Sequence, residues 1–67
     1  MINVWDYTNA RRLKIIDIDG KEYVGSLVCV MDAEENGEEE DDITIQINDD
    51  TYIGFLQSKI ARIDIVQ

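Results

Sequence analysis

Eight carboxylates fall within the eleven residues from Asp32 to Asp42: Asp32, Glu34, Glu35, Glu38, Glu39, Glu40, Asp41 and Asp42. Carboxylates at this density suit two kinds of chemistry, ligation of a hard cation through oxygen and proton exchange between a paired acid and base. The segment Asp32-Ala33-Glu34-Glu35-Asn36-Gly37 opens like a calcium loop, with oxygen ligands at positions 1, 3 and 5 and glycine at 6. The match ends at position 12, where Ile43 stands in place of a bidentate glutamate, and strand sequence flanks the run instead of helices. Acid/base work requires burial or fixed geometry to separate two pKa values, which an exposed run does not supply. The run from 32 to 42 therefore predicts a solvated hairpin loop that aids solubility and repels wrong partners, and it is the one segment composed for disorder.

The remaining chemistry is sparse. The chain has no histidine, which removes the commonest general base and the commonest zinc ligand. Its one cysteine, Cys29, lies in the apolar run Leu27-Val28-Cys29-Val30-Met31 without an adjacent base, so it predicts a small core hydrophobe and not a nucleophile. No catalytic residue, metal ligand set or cofactor is expected. A free thiol and the absence of a basic-then-apolar leader predict a reducing, cytoplasmic setting, and no run is apolar for long enough to span a bilayer. The 67 residues carry 15 acids and 6 bases, for a net charge of −9. Outside the acidic run, seven acids face six bases, so the body of the protein is close to neutral.

A chain this short forms one domain, residues 1–67, with a marginal core. Its supports must be packing and oligomerisation, because a lone cysteine forms no intrachain disulfide. Asn3 as a cap, followed by Val4, Trp5 and Tyr7, predicts a helix of one or two turns that leans on the body through Trp5 and one of its neighbours. From Arg11 the period becomes that of strands. Leu13 to Ile18 runs into Asp19-Gly20, which predicts a two-residue hairpin turn. A long second strand follows from Lys21 to about Met31, with Gly25 marking a bend. Strict alternation puts Leu27, Cys29 and Met31 on one face and Val24, Val28 and Val30 on the other. Ile43, Ile45 and Ile47 predict the core face of a third strand, Thr51 to Gln57 a fourth, and Ile60 to Val66 a fifth with Ile63 and Ile65 inward. Gly54 suggests a bend or a close backbone approach.

A short N-terminal helix, five strands with a long bent second strand, and two sequence blocks split by a variable loop together resemble the Sm-like (LSM) family of SH3-like barrels. The first block is Ile16-Asp17-Ile18-Asp19-Gly20, Gly25-Ser26-Leu27 and Asp32-Ala33-Glu34-Glu35-Asn36, and the second is Phe55 to Ile63. The resemblance covers nearly the whole chain and implies a mainly β, strongly bent five-stranded barrel. It also implies an RNA site at Asp32, Asn36, Gln57 and Ser58, and an oligomer edge in which Tyr52, Ile53, Gly54, Phe55 and Leu56 meet Ile60, Arg62 and Asp64 of the next copy. The chain departs from the family at the RNA site. Asp32 falls one residue late, Glu35 replaces an apolar residue, and Gln57-Ser58 stands where RNA-binding members have Arg-Gly.

Eight carboxylates per subunit beside that site oppose a phosphate backbone, and a ring would multiply them. Arg11 and Arg12 read first as a solvated strand entry, and with Lys14 they offer as an alternative a basic edge on the opposite side. The expected function is a non-catalytic interaction module that self-associates, as a ring, or pairs its strand edges with a protein partner. The alternative is an RNA-binding ring with a weakened site. No membrane contact is expected.

Overall fold

The computed structural model describes residues 2–67, and Met1 lies outside the described residues. The protein is mainly β. Five strands, β1 (Arg12–Asp17), β2 (Glu22–Met31), β3 (Asp42–Asn48), β4 (Thr51–Leu56) and β5 (Ile60–Ile65), form one antiparallel sheet in the order β4-β3-β2-β1-β5. Helical structure is confined to single turns: a 3-10 turn at Val4–Tyr7, an α turn, α1, at Ala33–Asn36, and a 3-10 turn at Gln57–Lys59. Where the sequence predicts an N-terminal helix there is only the first of these. Its short run lacks the length to propagate α-helical hydrogen bonds, although Asn3 caps it as expected by accepting the Trp5 N–H.

The core comprises Val4, Leu13, Ile15, Ile43, Ile45, Phe55, Ile60 and Ile63. Phe55 and Ile60 come from the two strands at opposite ends of the sheet order, so the sheet curls around a single core. Tyr23, near the start of β2, closes on Phe55 edge-to-face, with ring centroids 5.1 Å apart. No ladder joins β4 to β5 among the described residues, so the sheet is not closed into a barrel.

Gly25 makes the curl possible. A β-carbon there would overlap the Gln46 carbonyl oxygen and lie 2.9 Å from its carbon, so β3 crosses β2 at a distance only glycine permits. The ladder then slips between Leu27 and Cys29, and this bulge corrects the predicted alternation. With Val28 as the extra residue, Leu27 and Val30 both pack against the core, while Met31 turns outward and Cys29 is only partly buried. A second slip, between Gln46 and Asn48, leaves Ile47 exposed instead of inward. A third, at Ile16/Asp17 in the β1–β5 ladder, accounts for the burial of both Ile60 and Ile63, three residues apart. Ile65 pairs with Leu13 but is 57% exposed at the end of its edge strand.

The β1–β2 turn also differs from expectation. The Gly20 N–H donates to the Asp17 carbonyl, the Asp17 N–H donates to the Lys21 carbonyl, and only Gly20 has positive φ, at 85°. This is a three-residue loop ending in a glycine bulge, not a two-residue turn. The Asp17 carboxylate holds it by accepting the Asp19 and Lys21 N–H groups, each at 2.9 Å. At β1, Lys14 meets Glu22 at 2.8 Å, and this hydrogen bond, with the charge of Glu22 behind it, raises the Lys14 pKa above its ordinary 10.5. No helix among the described residues is long and apolar enough to cross a membrane.

Candidate functional site

The acidic run is structured along much of its length, contrary to the expectation of a disordered loop. Asp32 caps α1 by accepting the Glu35 N–H at 2.8 Å, and Gly37 ends the turn in the left-handed conformation with φ 74°. Asn36 accepts the Glu38 N–H at 2.7 Å and donates to the Glu40 carbonyl, which folds the outer arc back. One carboxylate oxygen of Asp32 and the side-chain oxygen of Asn36, at two of the positions that would open a calcium loop, thus accept backbone amides.

At the base of the loop the carboxylates act as clasps. Asp41 accepts the Ala33 N–H at 2.9 Å through one oxygen and the Trp5 indole N–H at 2.8 Å through the other. Glu40 accepts from both the backbone N–H and the hydroxyl of Ser58. The Gln57 N–H donates to the Asp41 carbonyl at 3.0 Å, and the Gln57 side-chain oxygen accepts the Val4 N–H at 3.0 Å. Three segments distant in sequence, the N-terminal turn, the acidic loop and the β4–β5 connection, are thereby joined. Val4, not Trp5, is the apolar anchor of the first: Val4 is fully buried, whereas Trp5 is 41% exposed and held mainly by its indole hydrogen bond. One oxygen of Asp42 lies buried beside this cluster without a hydrogen-bond partner among the described residues.

The four residues expected to contact RNA do come together here, but with their polar groups turned to the protein itself. Asp32 and Asn36 are used within the loop, Gln57 on Val4, and Ser58 on Glu40. Sequence reasoning missed Glu40 and Asp41 as joining residues and gave Trp5 a packing role where it joins through its indole N–H. The available signal was Asp32 followed by Gly37, a start and a stop for one helical turn, which argues for order in the run.

The expected edge residues occupy the two unpaired edges of the sheet, β4 and β5. The Gln57–Asp41 bond sets the alternation of the β3–β4 ladder, so the amides of Tyr52, Gly54 and Leu56 point away from β3. Likewise the Val66 N–H on the Arg12 carbonyl leaves the amides of Ile63 and Ile65 facing away from β1. Phe55 and Ile60 place their side chains in the core and offer none to a partner. Tyr52, at 59% exposure, and Ile65 are apolar and open. Arg62 pairs with Asp64 at 2.9 Å on the β5 side. Gly54 is neither a bend at positive φ nor a close approach: a β-carbon there would meet only Thr44 Oγ1, at an ordinary 3.5 Å.

Beside β4 lies a cleft of about 430 Å³. Gly54, Phe55 and Leu56 form one wall, and Asp17, Ile18 and Asp19 of the β1–β2 turn form the other, with Lys59 at its margin. No protein-family model, curated protein or solved structure matches this chain.

Proposed function

We propose that this chain is a non-catalytic interaction module of the Sm-like, SH3-like barrel type, which self-associates or pairs a strand edge with a protein partner in the cytoplasm. The observation that carries the reading is the pair of open edges on a sheet that curls without closing. The amides of Tyr52, Gly54 and Leu56 on β4 and of Ile63 and Ile65 on β5 point away from their own ladders, with Tyr52 and Ile65 exposed beside them. Unpaired edges of this kind are templates for another strand, and joining them covers both the amides and the neighbouring apolar side chains.

An RNA-binding ring has less support. The amide and hydroxyl of Ser58 are engaged by Glu40, and the surrounding charge opposes phosphate. Salt dependence separates the two readings. Sedimentation velocity of the protein alone across a salt series is expected to show self-association that does not weaken as salt rises, because its copies carry like charge, whereas oligouridine affinity would fall steeply. Steeply salt-sensitive oligouridine binding that strengthens in Gln57→Arg would overturn the edge reading.

A further inference from the structure

The edge of β4 and the cleft beside it specify the chemistry of a partner. Three amides, those of Tyr52, Gly54 and Leu56, face the free side, and at Gly54 no side chain screens the backbone. The cleft adjoining this edge is lined by the apolar side chains of Leu56 and the exposed Ile18, and the exposed carboxylate of Asp19 stands across it from β4. The charge around the strand is one-sided. Asp49 and Asp50 precede β4 in the chain, Asp17 and Asp19 face its middle, and Glu40 lies beyond its end on Ser58. Against these stand two cations, Lys59 at the margin of the cleft and Lys21, whose ammonium lies over the Tyr23 ring packed on Phe55.

We infer that β4 accepts an extended, basic segment of another protein as a sixth strand. The rule of alternation explains why such a segment fits. One set of its side chains would face the cleft, where the long stem of a lysine or arginine lies along Ile18 and Leu56 while its charged head reaches Asp19. Backbone pairing with Tyr52, Gly54 and Leu56 supplies affinity, and the ring of acids supplies selection and a faster encounter. A second copy of this chain is the poorer occupant, because each copy brings a net charge of −9 and a second acidic loop. The inference rests on the edge-pairing reading and narrows it to one edge and one class of partner.

The test uses the full chain and a blocked nonapeptide alternating lysine and valine, with a glutamate-valine peptide of the same length as control. Amide exchange is followed residue by residue while affinity is measured by titration calorimetry. The lysine peptide is expected to slow exchange at Tyr52, Gly54 and Leu56 and to bind at least tenfold tighter than the glutamate peptide. Asp19→Lys, at an exposed turn position, is expected to weaken the lysine peptide at least fivefold with an unchanged circular dichroism spectrum. Gly54→Pro, which removes an edge amide but no β3 bond, should abolish protection. Binding without protection on β4, or equal binding of the two peptides, would overturn the inference. If neither peptide protects β4 but the free protein protects the same amides as its concentration rises, the basic partner is wrong and edge pairing stands. If β4 exchanges freely under every condition, both fail.

Discussion

Two glycines lie inside strands of this protein, and they are there for opposite reasons. At Gly25 the backbone of β3 passes so close that no side chain fits, and the curl of the whole sheet depends on that contact. At Gly54 there is room for a methyl group, and the backbone faces outward along an unpaired edge. A strand glycine in sequence therefore marks either a packing necessity or an accessible edge, and only the neighbouring strand decides which. The acidic loop repeats the contrast between fixed and open positions. Asp41 is held by two donors, while Glu39 is exposed and joins no described hydrogen bond or ion pair.

The largest expected effect comes at the fixed glycine. Gly25→Ala must push β3 away from β2, and thermal unfolding should show a loss of about 3 kcal/mol, a large share of what so small a domain possesses. Next is Asp41→Ala, which strands the Ala33 N–H and the Trp5 indole N–H. A loss of about 2 kcal/mol is expected, with changed Trp5 fluorescence and fast exchange at Ala33, whereas Glu39→Gln should leave all three unmoved. Asp42 offers a change in the other direction. Its partnerless buried oxygen sits between Met31 and Leu56 in register, so Asp42→Val should stabilise the fold by about 1 kcal/mol in urea denaturation.

Gly54→Ala sharpens the comparison with Gly25→Ala most directly. The added methyl meets only Thr44 Oγ1 at an ordinary contact distance and the unfolded chain loses freedom, so a gain of about 0.5 kcal/mol is expected. A loss comparable to that at Gly25 would erase the distinction between the two sites. The smallest effect is at the exposed Lys14–Glu22 pair. Because the pairing raises the Lys14 pKa, its stabilising contribution is fully present below 10.5 and is lost as pH rises through the raised value. The difference in melting temperature between the natural chain and Glu22→Gln should therefore be small at neutral pH and vanish in strong alkali.

The strands were legible because β-branched runs and turn residues bracket them clearly, as Leu13 to Ile18 and Ile43 to Asn48 do. The faces were less so. Alternation assumes an unbroken ladder, and slips at Val28, Ile47 and Ala61 each change which side chain turns inward, a result of pairing between strands that no single strand encodes. The acidic run was misjudged because composition counts charges without asking which amides need them. Asp32, Glu40 and Asp41 are as acidic as Glu39, yet each satisfies donors that would otherwise lack partners. The free edges were placed through the resemblance, whereas the cleft beside β4 depends on the curl of the sheet and had no signature in sequence.

The central claim is that the protein works by pairing a strand edge, and native mass spectrometry of the full chain tests it most directly when the protein is purified without nuclease treatment beside its Gly54→Pro variant. The account predicts assemblies without nucleotide, either multimers or complexes with a protein partner, that revert to monomer in the variant. An assembly carrying nucleotide mass that persists unchanged in Gly54→Pro would contradict it.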